Sequence, residues 1–282
     1  MTLITERYRS RTTRITLHFG LIVFAALWLI PLVVVMMTAI RSEGDLMSGG
    51  VFSIPRELSL ANFADAWEIG GFSIYFKNSV IVTLTKVPLG ILIASLAAYA
   101  LTKLRIRYSS ALFVFFLLGL AIPAHVVLLP LFVMLREIGV LDTLWALYPP
   151  YIAFGLAFEI LILRGFFSLI PDELIDAARV DGASEFRIYW NIMLPLSLPV
   201  LATVFIIDAL STWNEFLIAL VMLTSEEVQT IPLGLLNFQG QFSSNHTALM
   251  AGVTIAILPI LVLYIALQRY VIYGLTGGAL KE

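Results

Sequence analysis

Six apolar runs, at about residues 15–39, 78–101, 109–135, 143–163, 196–223 and 247–268, dominate this chain. Each has the roughly 20 residues that a helix needs to cross a bilayer. Backbone N–H and C=O groups in hydrocarbon must be satisfied within the segment itself, so runs of this length are expected to be helices. Composition agrees, because 60% of the 282 residues are hydrophobic and 13% are charged, where globular chains carry about 25% charged residues. The expected fold is an all-α integral membrane protein with six transmembrane helices, forming a single domain over residues 1–282. The first run exceeds the 7 to 15 apolar residues of a secretory signal and no small-residue cleavage site follows it, so it should remain as an anchor. Cysteine is absent, which excludes disulfides and thiolate metal sites.

The basic residues orient the spans. Arg7, Arg9, Arg11, Arg14, Lys103, Arg105, Arg107, Arg164, Arg179, Arg187, Arg269 and Lys281 fall on the side shared by the two termini. Only Arg41, Arg56, Lys77 and Arg136 fall opposite. Lys and Arg are retained on cytoplasmic flanks, so both termini and the segment between the fourth and fifth runs are expected in the cytoplasm. The net charge of −2 shows no basic excess that would suit nucleic acid.

The spans are not plain lipid-facing rods. Pro31, Pro88, Pro123, Pro130, Pro149, Pro150, Pro199 and Pro259 lie inside or at the mouths of the runs, where each frees backbone groups that neighbouring helices or water must satisfy. Lys86, His125, Glu159, Asp208 and Glu215 also fall in or near the runs. Charge in hydrocarbon is costly, so such residues usually face a bundle interior or a wet cavity. Three alternatives stay open: Lys86 and Glu215 snorkel to the interface, a pair merely locks two helices, or His125 is a satisfied packing histidine.

Between the fourth and fifth runs lies the loop over 165–195, whose part from Pro171 to Pro195 reads PDELIDAARVDGASEFRIYWNIMLP. Pro171 suits the first position of a helix, and Asp172 and Glu173 complement the positive end of its dipole. Leu174, Ala177 and Ala178 share one face by spacing. Gly182 can take the left-handed conformation that ends a helix, and a second helix should start after Ser184. The expectation is a helix-turn-helix that docks on a partner. On the opposite side, only residues 40–77 and 224–246 are long enough to engage anything, and Asn62 to Trp67 reads as a short interfacial helix.

Several chemistries have no residues to support them. None of the lysines, Lys77, Lys86, Lys103 and Lys281, follows a glycine, so the chain has no phosphate-binding loop of the Gly-Lys-Ser/Thr kind. His18, His125 and His246 are isolated and no serine sits in a G-x-S-x-G elbow. A transporter subunit or channel is favoured over an enzyme, and no catalytic or metal-binding residue is expected.

The Asp176-Ala177-Ala178, Gly182, Ile192, Leu194, Pro195 spacing resembles the EAA loop of ATP-binding-cassette importer permeases, with Asp in place of the usual leading Glu. Other signatures follow in the order of the carbohydrate permeases of the maltose-transport type. They are Asn78-Ser79, Ala97-Ala98-Tyr99-Ala100-Leu101, Ile122-Pro123, Leu129-Pro130-Leu131, Arg164-Gly165-Phe166-Phe167, Trp213-Asn214-Glu215-Phe216 and Gly274-Leu275-Thr276-x-Gly278-Ala279. The final Leu280-Lys281-Glu282 departs from the usual Val-Lys-Gly. The resemblance covers nearly the whole chain and implies a type I ABC importer permease fold in a bacterial inner membrane. It implies a second permease, a cytoplasmic ATPase dimer that binds ATP and Mg, and an extracytoplasmic solute-binding protein as partners besides the bilayer, with no cofactor in this chain. Asp176, Ala177, Ala178, Arg179, Asp181, Gly182, Leu194 and Pro195 would couple to the ATPase, with Asp176 or Arg179 ion-paired to it. Asp208, Trp213, Asn214 and Glu215 would line or gate the translocation path, since sugars are bound by aromatic faces with amide and carboxylate partners, with helix–helix packing as the alternative for the last three. A permease for a non-sugar solute and an ion-coupled secondary transporter stay open as alternatives.

Overall fold

The computed structural model describes residues 11–68, 71–241 and 245–276. In chain order the helices begin with α1 (Arg11–Ala39), α2 (Glu43–Gly49), α3 (Ala61–Glu68), α4 (Phe72–Lys103) and α5 (Ser109–Leu118). They continue with α6 (Ala124–Glu137), α7 (Tyr148–Phe167), α8 (Asp172–Val180), α9 (Glu185–Ile188) and α10 (Leu194–Leu196). The last are α11 (Leu198–Trp213), α12 (Leu217–Met222), α13 (Ile231–Gln241) and α14 (His246–Thr276). A π-helical turn, Tyr189–Met193, joins α9 to α10.

Among the described residues, four helices are long and apolar enough to cross a membrane unaided: α1, α4, α7 and α14. Two bent pairs raise the number to six: Ser109–Ala121 with Ala124–Glu137 at 97°, and Glu185–Leu196 with Leu198–Trp213 at 78°. The expected runs 109–135 and 196–223 are therefore not single helices. In the first, Ile122 and Pro123 are extended, with ψ of 112° and 131°. Proline has no N–H to continue the ladder and pushes the residue before it out of the helical region. In the second, the helix stops at Trp213, and α12 restarts where the Glu215 carboxylate accepts hydrogen bonds from the N–H groups of Ile218 (2.8 Å) and Ala219 (3.1 Å). Pro31, Pro88, Pro130 and Pro259 lie inside continuous helices.

The centre of the bundle is α4, which packs along α7 and α11. At the end that carries the 165–195 loop, Ala94, Ala98, Leu163, Phe167, Ile188 and Met193 form one apolar core. At the opposite end, Leu135, Leu147, Tyr151, Ile218 and Met222 form another, while Phe72, Tyr75, Trp213 and Ala251 hold α4 to α11 and α14. Asn78 and Ser79 pin that end of α4. The Asn78 amide donates to the carbonyls of Glu227 and Gln229, both at 2.9 Å, and the Ser79 hydroxyl accepts from the N–H of Ile231 at 2.9 Å. The expected short helix at 62–67 is α3, whose Asn62 donates to the carbonyls of Ala39 and Arg41. Helix α1 runs along α14 and turns the side chains of Ile15, Phe19, Trp28 and their neighbours outward. That surface matches a bilayer.

The turn between α6 and α7 contains Asp142 at φ +58°. Its carboxylate accepts from the N–H groups of Thr224 (2.7 Å) and Ser225 (2.8 Å) and from the Ser225 hydroxyl. The Ser225 hydroxyl and these two amides hold the Asp142 carboxyl below its ordinary value of 3.8. A depressed pKa contributes stability that is present above the ordinary value and lost as pH falls through the folded one. Amide exchange at Thr224 and Ser225, corrected for intrinsic rate, should accelerate as pH drops below about 4 in the wild type. In Asp142→Asn, which tolerates the same backbone, it should be flat, and an equal acid response in both would remove Asp142 as its source.

Candidate functional site: a latched loop and a buried charge cluster

The 165–195 loop folds as its local chemistry predicts. Pro171 is extended and lies one residue before α8 rather than at its first position, and Asp172 and Glu173 fill the first turn. Gly182 has φ +81°. Its N–H reaches the carbonyl of Arg179 at 3.0 Å and the N–H of Ala183 reaches that of Ala178 at 2.9 Å. Those two bonds define a Schellman close, which needs a left-handed residue at Gly182. Ser184 then caps α9, its hydroxyl accepting from the N–H of Arg187 at 3.3 Å.

Three side chains of α4 hold this loop, and sequence reasoning missed them as a set. Ser95, Tyr99 and Lys103 are four residues apart and so share one face. The Ser95 and Tyr189 hydroxyls are 2.6 Å apart, and the Tyr99 hydroxyl donates to Oε2 of Glu185 at 2.6 Å. The Lys103 ammonium donates to the carbonyl of Ile170 and to Oδ1 of Asp172, both at 2.6 Å. That hydrogen bond from Lys103 keeps the Asp172 carboxyl below the usual carboxylate range.

Arg179 closes the latch. Its Nε donates to Oε1 of Glu185 (2.8 Å), Nη1 to Oδ1 of Asp176 (2.9 Å) and Nη2 to the carbonyl of Lys103 (3.1 Å). Its bond to Glu185 raises the guanidinium pKa further. Arg179 and Asp176 are thus paired to each other within the loop. The exposed Asp176–Arg179 pair alone is worth little. Arg179 matters because it joins α8, α9 and α4. Ile175 is buried against the bundle and Ala178 and Leu194 are half-buried beside it. Ala177, Val180, Asp181, Gly182, Phe186 and Pro195 face outward, Val180 with 87% of its surface free. Leu174, expected beside Ala177 and Ala178, also lies outside, so Ile175 supplies the inward face.

Near the middle of α4 the polar residues of three apolar runs meet. Lys86 Nζ lies 2.6 Å from Oδ1 of Asp208 on α11, with the side chains 1% and 6% exposed. Glu159 of α7 joins them, itself 1% exposed. Glycines make the room. A Cβ on Gly155 would stand 2.9 Å from Oε1 of Glu159, 3.3 Å from Nζ of Lys86 and 3.4 Å from Oδ1 of Asp208. Beside the cluster is a cavity of about 470 Å³ whose walls include Lys86, Tyr151, Phe154, Phe158, Glu159, Asp208, Ser211, Thr212 and Glu215. Among the described residues no group of three or more His, Cys, Asp or Glu converges as a metal site would require.

Of the four residues expected along a path, Asp208 and Glu215 line this cavity. Trp213 packs instead: its indole donates to the carbonyl of Ala256 at 3.0 Å and its ring meets Phe76 edge-on at 5.9 Å. Asn214 ends α11, its amide turned back to the carbonyl of Leu210 at 2.9 Å. His125 is exposed. Residues 277–282, with Gly278 and Ala279 of the tail signature, lie outside the described residues.

Residues 86–276 match the family described as binding-protein-dependent transport system inner membrane component. The chain is 40% identical over 263 residues to the putative ABC transporter permease protein ORF2 of Caldicellulosiruptor sp., covering 92% of this chain and 95% of that one. It is 36% identical over 270 residues to the arabinooligosaccharides transport system permease protein AraQ of Halalkalibacterium halodurans, covering 95% of each. Among solved structures, it superposes with a TM-score of 0.78 and 27% identity on a chain of a bacterial ABC transporter involved in the import of the acidic polysaccharide alginate, covering 93% of this chain and 99% of that one.

Proposed function

The chain belongs to the family of binding-protein-dependent transport system inner membrane components, and from that premise we propose that it is one permease subunit of an ATP-driven importer for a carbohydrate. The sugar class is supported by the arabinooligosaccharide and alginate systems it resembles. In this reading a second permease completes the translocation path, a solute-binding protein delivers the substrate, and a cytoplasmic ATPase dimer binds ATP and Mg. This chain supplies no cofactor. Both termini and the 165–195 loop lie in the cytoplasm, a placement supported by the distribution of basic residues.

The observation that carries the proposal is the continuity from loop to cavity through α4. Val180, Asp181 and Phe186 form the outward face that seats on the ATPase, with Ala177 allowing close approach. When ATP closes the ATPase dimer, the α8–α9 unit moves as one body, because Arg179 and Glu185 tie its halves together. Lys103, Tyr99 and Ser95 pass that movement to α4, and Lys86 passes it to α11 at the cavity wall. Rigid elements joined by buried polar contacts rock together rather than bend separately.

The double variant Val180→Glu/Phe186→Glu tests this reading. The permease should still insert, while the ATPase subunit no longer co-purifies and sugar uptake is lost. Normal uptake with the ATPase retained would refute the docking face. Removal of the gene should abolish uptake of an oligosaccharide from a panel of arabinose-, galactose- and glucose-containing sugars. A loss confined to an amino acid would refute the carbohydrate reading.

A further inference from the structure

The Lys86–Asp208–Glu159 cluster is short of one positive charge. Lys86 is a single ammonium, and it donates to Oδ1 of Asp208. Both oxygens of Glu159 and Oδ2 of Asp208 are buried without a hydrogen-bond partner. Ionised carboxylates only accept, so the two cannot satisfy each other. These three oxygens are themselves inaccessible from the adjoining cavity. Two donors on the same wall are committed elsewhere. The Tyr151 hydroxyl goes to Oε2 of Glu215 at 2.7 Å and the Ser211 hydroxyl to the carbonyl of Ile207 at 3.0 Å. Glu215, the remaining carboxylate on the wall, is itself satisfied by Tyr151, Ile218 and Ala219. An uncompensated buried charge is costly enough that a protein normally neutralises it.

We propose that Glu159 and Asp208 together bind one monovalent cation, a proton or an alkali-metal ion, at the junction of α4, α7 and α11. The ligand is small. Gly90 and Gly155 close over the carboxylates from both sides, and a Cβ on either would come within 3.5 Å and 2.9 Å of Oε1 of Glu159. Between these glycine backbones and the carboxylates there is no room for a sugar ring. It is also singly charged. Two carboxylates beside one ammonium leave one negative charge to neutralise, so a divalent ion would overcompensate the site. The bound charge lets α7 and α11 approach across α4, so its occupancy stabilises this packing of the three helices. The inference stands whether or not the transported solute is a sugar.

Thermal unfolding of the purified complex, with partner subunits present, separates the sources. The proteins compared are the wild type, Glu159→Gln, whose amide supplies donors without a charge, and Glu159→Leu, which leaves the neutral Lys86–Asp208 pair alone. If the ligand is a proton, the wild-type midpoint should fall by several degrees from pH 5 to pH 9 in choline chloride, and both variants should lose most of that slope. If it is a metal ion, the wild-type midpoint should rise when NaCl or KCl replaces choline chloride at fixed pH and ionic strength, as mass action requires of a ligand that binds only the folded state. The variants should lose that rise. A wild type insensitive to pH and to the cation, or variants that respond as the wild type does, would overturn the proposal.

Discussion

Lys86→Met is expected to keep this permease from accumulating in the membrane. The substitution preserves length and apolar volume, yet it strips the counter-charge from Asp208, which is 6% exposed, and leaves Glu159 beside it with no ammonium at all. Breaking a buried ion pair by removing one partner costs about 3–5 kcal/mol, a large fraction of the stability of most domains. The cause can be separated from lost packing by a second change. In Lys86→Met/Asp208→Leu the orphaned carboxylate is gone, and replacing a whole buried pair by apolar residues is often close to neutral. The double variant should therefore recover much of the lost accumulation and of the thermal midpoint in detergent. Equal amounts of wild type and Lys86→Met would mean that water reaches the cluster and that no ion pair bridges α4 and α11.

What the sequence revealed depended on how local the chemistry is. The helix-turn-helix at 171–195 was legible because Asp172, Gly182 and Ser184 each act within a few residues of themselves. Lys86, Glu159 and Asp208 stood out as charges in apolar runs, but Lys86 and Asp208 are 122 residues apart, so their meeting depends on the packing of α4 against α11. The Ser95, Tyr99 and Lys103 face was present as a four-residue spacing, yet Lys103 also fitted a simple flanking cation, and Arg179 fitted a free partner for another protein. Nothing local separates Pro123, which breaks a span, from Pro88 or Pro130, which sit inside continuous helices. Each removes the same N–H, and the neighbouring helices determine which chain bends. Trp213 looked like a sugar-stacking residue because an aromatic beside an amide and a carboxylate suits a saccharide. Its indole had an equally good use in packing, at the carbonyl of Ala256.

Gly182→Val should abolish transport while leaving the membrane bundle intact. With φ at +81°, the backbone at this position lies where a β-branched residue pays about 1–2 kcal/mol. The cost is conformational rather than steric, because a Cβ at Gly182 would meet nothing within 4 Å. The turn relieves that strain by opening the Schellman close, which lets α9 swing away from α8. Glu185 then leaves Arg179 and Tyr99, α9 loses that tie to α4 while α8 stays held by Lys103, and the face formed by Val180 and Phe186 is no longer presented as one surface. Uptake by the assembled importer is expected to fall at least tenfold, about 1.4 kcal/mol of lost coupling, with the thermal midpoint of the permease little changed. Gly182→Asn separates backbone from bulk, since Asn enters the left-handed region far more readily than Val, and it should keep most of the wild-type uptake. If the Gly182→Val variant transported normally, the turn would not need its left-handed residue. If Gly182→Asn failed as badly as Gly182→Val, the cause would be a side chain intruding on the docking face and not the strain at φ +81°.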